Sequence, residues 1–452
     1  MTSNGEDPLD GIVIGAGISG LTAAWRLRHR RIAVIEATDR VGGRLASHPS
    51  GEYWLNLGAH LFPPPGSVID GLLNEFGLRA VPVRGTTTGL AVGDRKLTSG
   101  SPTWYPLRLD LDLRERAAFS KAGLKLRQGL VRYTRIAAQR EGESLAEAAD
   151  RLLRFMSTQS FAEFLGPLPE RVAAIFKAAA NRATAEPDEL SAGAGIGLFA
   201  LVWRGRSSGL TRNLIGGSAL LPEAIAGELG DRMRLSATAT TISNSDVGCT
   251  VCYQQCGEAR TLDARHVVIA VPPPDAARLV RDVAPPAAER LDGIRCGPFV
   301  SMAVRTSETR PMPWDGTYAM ATPGRAFSMF FNHAQVLRSG PRKAGGSLMV
   351  YAGGHDAGEL LRASDDDVRA RFTPDLESLY PELRSIIVET KVARFPVGNT
   401  FGSVGRQAVQ PLAEPLGQHR NIHLAGDYFA ELGSMEKAAR SGLEAAKRVE
   451  AR

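Results

Sequence analysis

Gly11-Ile12-Val13-Ile14-Gly15-Ala16-Gly17-Ile18-Ser19-Gly20 opens the interpretable part of this chain, and Ile32-Ala33-Val34-Ile35-Glu36 follows shortly after. The first four residues are a short apolar run that stops at glycine, as a strand buried on both faces does. From Ile18 to Arg30 apolar residues recur at 18, 21 and 25 with basic residues on the far side, which predicts a helix. Residues 32–35 predict a second strand ending at Glu36. Strand, turn, helix and strand within about thirty residues make a dinucleotide-binding unit. Gly15 permits the tight turn, Gly17 lets the backbone approach a pyrophosphate, and Gly20 lets the helix sit close to the strand. Ile18 and Ser19 open the helix, whose positive dipole end meets the phosphates. Glu36, with Ala37 beside it, ends the second strand where a carboxylate can accept both ribose hydroxyls.

The rest of the chain bounds what surrounds this unit. At 452 residues it is too long for one ordinary core, and 43% hydrophobic with 23% charged residues is a globular balance. The net charge is +6, but only eight of the 54 basic residues are lysine, and there is no basic tail or Arg-Gly repeat, which argues against nucleic-acid binding. Met1 to Pro8 is polar and acidic, unlike a signal peptide, and no run of eighteen apolar residues exists, so the expected compartment is the cytoplasm. Cys249, Cys252 and Cys256 invite a metal reading. They fall on or beside an expected strand, where residues three apart face opposite sides and converge poorly on one ion, so no metal is expected.

Two further stretches carry chemistry. Asp39-Arg40-Val41-Gly42-Gly43-Arg44 comes directly after the ribose-binding glutamate, and Arg44 can lie over a pyrophosphate that Gly42 and Gly43 let approach. Next comes Asn56-Leu57-Gly58-Ala59-His60. Near the end stand Leu424-Ala425-Gly426-Asp427-Tyr428, Gly433-Ser434-Met435-Glu436 and Ser441-Gly442.

Taken together, these motifs resemble the superfamily of flavin-containing amine oxidases, protoporphyrinogen oxidases and phytoene desaturases, and the resemblance spans most of the chain. Leu214-Ile215-Gly216-Gly217-Ser218 resembles that superfamily's paired-glycine segment, and Ala239 to Ile242 the stretch whose backbone meets adenine. The resemblance implies an α/β fold: a Rossmann-type, glutathione reductase-like FAD-binding domain (1–66, 205–290, 392–452) interleaved with an α+β substrate domain on an antiparallel sheet (67–204, 291–391). It implies non-covalent FAD, because the region 395–399 has no cysteine. Leu57, Gly58 and Ala59 form the turn near the flavin. Asp427, after Gly426, bonds the ribityl chain, and the helix start at Ser434 and Met435 points at the flavin N1–C2 edge, where it stabilises the negative charge of reduced flavin.

The resemblance implies an FAD-dependent oxidoreductase that moves hydride from a C–N or C–C unit of a small molecule to flavin N5, in a specialised biosynthetic setting. Oxygen or another acceptor takes the electrons. A porphyrinogen oxidase or carotenoid-type desaturase, a non-redox flavin isomerase and a flavin-binding scaffold are the competing readings. Many amine oxidases hold a water at N5 with a lysine; here Ser301, within Phe299–Val304, falls where that lysine would stand. His60 either binds substrate, moves a proton, or braces its turn. Phe327, Phe330 and Asn332 on one substrate-domain strand, and Tyr428 beside the flavin motif, are candidate substrate contacts. The Arg- and Leu-rich segment Leu107–Ile136 reads as a solvated helix over the cavity, with membrane contact as the alternative.

Overall fold

The computed structural model describes residues 7–138, 140–203, 211–245, 248–338, 340–406, 409, 416 and 419–451. Leu9–Ile14 and Ile32–Ile35 pair in parallel, and their last four residues each are wholly buried. The helix Ile18–Arg26 packs Leu21, Ala23 and Ala24 against them. On the other side of Leu9–Ile14 runs the long strand Glu258–Ile269. Its first half pairs antiparallel with Gly248–Gln255; its second half runs parallel between Leu9–Ile14 and the late strand Ile422–Leu424. The seven-stranded sheet is completed by Ala237–Ser245 at one edge and Met233–Arg234 at the other. Cys249 is buried, Cys252 half-buried and Cys256 exposed at the end of Gly248–Gln255.

The C-terminal helix Met435–Glu450 lies along Ile18–Arg26 so closely that a side chain at Gly442 would collide with the Ser19 carbonyl. Residues more than four hundred apart therefore close one core, in which Leu21, Val34, Ala439, Ala446 and Val449 are fully enclosed.

A second seven-stranded sheet forms the other half. Its order is Ile387–Thr400, Cys296–Thr306, Gly346–Gly353, Met329–Asn332, Ala319–Ala321, Gly89–Val92 and Arg95–Leu97, antiparallel except between Ala319–Ala321 and Gly89–Val92. The helix Asp365–Leu379 covers one face through Val368, Phe372 and Leu376. The other face turns toward the segment around His60. The domain boundary expected at 391/392 is corrected, because Ile387–Thr400 lies wholly in this sheet, paired from Ile387 to Thr400 with Cys296–Thr306. The chain returns to the nucleotide sheet only at Ile422.

Helices pack beside this sheet. Leu113–Ala137 starts at a capping box of Asp112 and Glu115 and lies on Ala192–Trp203. It buries Phe119 and Leu126 but leaves Leu124 58% exposed, so the segment only partly shields its leucines from water. Among the described residues no helix is long and apolar enough to cross a membrane.

Candidate active site

The glycine loop is built as its spacing requires. Gly15 has φ +99°, and an added Cβ would lie 2.7 Å from the Ala270 carbonyl, so both conformation and space demand glycine there. A Cβ on Gly20 would strike the Gly15 carbonyl, which shows how tightly the helix sits on the strand. A Cβ on Gly17 would meet nothing within 4 Å. Steric crowding from the protein therefore does not explain glycine at 17, and the open space before the helix N-terminus has the place and polarity of a pyrophosphate site. Gly42 bridges to Gly17, its amide donating to the Ala16 carbonyl at 2.8 Å.

The Glu36 carboxylate lies at this loop. It accepts the Ala16 amide at 2.8 Å, the Thr38 amide at 2.9 Å and the Thr38 hydroxyl at 2.8 Å. The Ala237 amide donates to the Glu36 carbonyl at 2.8 Å, which brings the Ala237–Ser245 strand and Ala239 beside it; Ala37 follows at the strand end. A ribose would therefore meet a carboxylate already oriented by backbone donors.

Arg44 and Asp427 form the second pole, 2.8 Å apart, with the arginine side chain 34% and the aspartate 6% exposed. The pair joins the third loop of the first domain to the turn after the last strand. Beside it lies Cys296, which the sequence reading missed; burial pushes its thiol up to about 11, so it stays protonated and a poor nucleophile. Ser434 caps the C-terminal helix, accepting the Lys437 amide at 3.3 Å, and Met435 begins it. The Gly426 amide donates to Ser441 Oγ at 3.0 Å, which ties the Asp427 turn to the same helix.

Between these poles runs the turn Leu57 to His60. The Leu57 amide donates to the Ala46 carbonyl and the Ala59 amide to the Arg44 carbonyl, both at 2.9 Å. A side chain at Gly58 would collide with the Arg44 carbonyl. His60 is 7% exposed. Its Nδ1 lies 3.0 Å from the Gly58 carbonyl, which can only accept, so Nδ1 carries the proton. Burial lowers its pKa to about 4, helped by Arg182, so Nε2 is a bare lone pair; it has no partner among the described residues. The His60 carbonyl accepts from Asn213 Nδ2 at 2.8 Å, and Asn213 in turn accepts from the Tyr318 hydroxyl at 3.1 Å.

Around the His60 ring stand Phe331 (centroids 4.7 Å), His333 (4.4 Å) and Tyr318 (6.4 Å); Tyr351 stacks on Phe331 at 5.9 Å and lies tilted against Phe299 at 4.5 Å. His333 is 1% exposed, both its ring nitrogens lack a partner among the described residues, and burial holds it neutral. The wall is aromatic, and burial keeps its two imidazoles neutral.

Four expected contacts are corrected. Phe330 and Asn332 alternate with Met329 and Phe331 along one strand and therefore face the opposite side of the sheet, where Phe330 and Phe327 pack with Trp314, Phe372 and Tyr380. Asn332 donates to the Trp314 carbonyl at 3.1 Å on that side. Tyr428 is buried in the nucleotide-domain core with Ile12, Ile14 and Val267, not over the substrate face. Ser301 does lie on the site-facing side, paired in register with Tyr351. It is fully buried and its hydroxyl donates to the Leu57 carbonyl at 2.6 Å, which ties the sheet to the turn and engages the hydroxyl as a structural bond.

A nucleotide loop, an Arg–Asp pole, a capped helix start and an aromatic face meeting at one turn define a two-domain flavin-dependent oxidoreductase. The chain belongs to the flavin-containing amine oxidoreductase family, whose profile matches residues 18–450. Curated relatives include an L-amino acid oxidase from Crotalus durissus cumanensis, 33% identical over 81 residues (18% of this chain, 16% of that protein). A flavin-containing amine oxidase from Oncorhynchus mykiss is 25% identical over 286 residues, 59% of this chain and 51% of its own. The chain thus matches at most about half the length of these two relatives. Among solved structures, cyclohexylamine oxidase from Brevibacterium oxydans superposes with a TM-score of 0.77 at 20% identity, covering 98% of this chain and 99% of that one. Putrescine oxidase bound to putrescine superposes with a TM-score of 0.74 at 19% identity, covering 99% and 100%. These structural likenesses establish the fold; the cofactor is FAD, as in the family.

Proposed function

We propose that the protein oxidises a small organic amine at the carbon next to nitrogen, with oxygen or another acceptor taking the electrons. The observation that carries this reading is His60. Its proton is committed to the Gly58 carbonyl, its Nε2 lone pair has no partner, and its ring stays neutral. A group of that kind accepts a hydrogen bond from a substrate N–H and orients the nitrogen without holding a proton. Bound FAD supplies the hydride acceptor, at N5 of its ring. Glu36 and the glycine loop anchor the nucleotide end, and Arg44 with Asp427 fixes the middle. The rings of Phe299, Tyr318, Phe331 and Tyr351 exclude water. The amine must be neutral to release hydride, so flavin reduction rises with pH through the bound amine's pKa.

Anaerobic mixing with primary and secondary amines tests the reading. At least one amine is expected to bleach the flavin, and His60→Ala to slow that step tenfold or more with FAD content unchanged. The reading falls if no amine reduces the flavin, or if His60→Ala reduces at the wild-type rate. The apolar ring face also suits hydride removal from a C–C unit, in which case His60 would have no N–H to accept and the alanine variant would be indifferent.

A further inference from the structure

We propose that the protein docks on an anionic lipid surface through the outer face of the helix Leu113–Ala137, with Trp104 and Leu107 beside it.

The helix is apolar on two opposite sides, and the core accounts for only one of them. At about 100° per residue, Phe119, Ala122, Leu126 and Gly129 share the inner face with Glu115, and all five are buried. Leu113, Ala117, Leu124 and Val131 fall within about 40° of one another on the opposite side. All four are exposed, Leu113 to 84%. A helix that only meets water carries polar and charged residues along that outermost ridge. This one is held so that it cannot roll the ridge inward. The capping box of Asp112 and Glu115 fixes its start, Lys125 donates to the Phe164 carbonyl at 3.3 Å, and the Tyr133 hydroxyl donates to Glu431 Oε2 at 3.1 Å. Just upstream, Trp104 and Leu107 are each 59% exposed. Five of the seven large apolar side chains exposed among the described residues therefore lie within 104–131. Tryptophan suits the boundary between lipid and water, since its ring is apolar and its N–H prefers a wet partner.

Charge selects the occupant of this face. Arg114, Lys121, Arg127, Arg132 and Arg135 are exposed on the helix, and among the described residues none of them forms an ion pair. The one acid within the helix, Glu115, is buried and paired with Arg171 at 3.1 Å. The exposed acids Asp110 and Asp112 precede the helix and Glu141 follows it. A second copy of the chain seated on this face would bring cations against cations. An anionic bilayer accepts both features at once: the apolar ridge sinks into the boundary between headgroups and acyl chains, and the long basic side chains reach the phosphates.

The test mixes FAD-loaded protein with vesicles of phosphatidylcholine alone, or of phosphatidylcholine and phosphatidylglycerol in equal parts, and measures co-sedimentation. At least tenfold tighter binding to the mixed vesicles is expected, weakening as salt is added. The double variant Lys121→Glu, Arg127→Glu should lose at least tenfold in affinity for the mixed vesicles. The double variant Leu124→Ser, Val131→Ser keeps every charge and should lose at least fivefold. All four positions are exposed, so the melting temperature and flavin content should stay at wild-type values. Failure of the wild type to bind mixed vesicles overturns the proposal. Wild-type affinity in the serine variant overturns it too, because the attraction would then be diffuse charge alone; wild-type affinity in the glutamate variant would place the contact on another surface. A protein that ignores vesicles but forms a dimer broken by the serine variant would assign the ridge to a second copy and overturn the proposal as well.

Discussion

At the scale of single residues the glycine loop separates two kinds of requirement. Gly20 is glycine because the protein itself fills the space, whereas a Cβ at Gly17 would meet nothing within 4 Å. Gly20→Ala is therefore expected to destabilise even the FAD-free protein. Gly17→Ala should leave its melting temperature nearly unchanged and weaken FAD roughly tenfold, about 1.4 kcal/mol. Thermal melts of both stripped proteins and a fluorescence titration with FAD check this; a large fall in the melting temperature of stripped Gly17→Ala would contradict it. Ser301→Ala leaves the Leu57 carbonyl unpaired and should cost about 1–3 kcal/mol of stability, while changing the rate of flavin reduction much less than tenfold. A larger loss of rate in a stably folded variant would give the hydroxyl a role in the chemistry. Gly15, Gly20 and Gly58 were legible because each answers to a local steric demand. Phe331 was not, because Met329–Asn332 is buried on both faces and carries no polar alternation to say which side meets the site.

At the scale of elements, the C-terminal helix joins both halves of the cofactor site. Its cap, Ser434, accepts the Lys437 amide, and Ser434→Ala should cost about 1 kcal/mol. Because the same helix start is expected at the flavin, the variant should also bind FAD more weakly than wild type, which equilibrium dialysis measures; unchanged affinity would move the flavin away from that terminus. The strand Ile387–Thr400 shows the limit of pattern reading. It holds Pro396 and Gly398, residue types that in sequence argue against a continuous strand. It is the edge strand of its sheet, where a missing amide donor is tolerated, and only the pairing with Cys296–Thr306 reveals its full length.

At the scale of the whole molecule, buried ionisable groups set opposing responses to pH. His60 titrates near 4 when folded against an ordinary 6.5, so its contribution is complete above pH 6.5 and is lost as pH falls toward 4. Glu431, buried and accepting from Tyr133 at 3.1 Å, is pushed by burial up to about 7 from 4.5, so its contribution is complete below pH 4.5 and is lost as pH rises to 7. The difference in melting temperature between wild type and Glu431→Gln is expected to change steadily from pH 4.5 to 7 and to level off above it. A difference that stays constant across that window would show that Glu431 titrates normally. The two-domain, interleaved plan was legible from the spread of motifs along the chain. The buried charges were not, since nothing local marks Glu431 as enclosed.

The order in which the nucleotide sheet is laid down has a consequence for how the protein is made. Ile422–Leu424 supplies a parallel neighbour of Glu258–Ile269, and Asp427 completes the pole with Arg44. During synthesis the first βαβ unit leaves the ribosome long before either of these exists. The nascent chain must therefore wait, with its glycine loop open and its first helix uncovered, until the last thirty residues arrive. Cofactor capture is then a late event of biogenesis, possible only once the helix Met435–Glu450 has closed on Ile18–Arg26 where Gly442 meets Ser19.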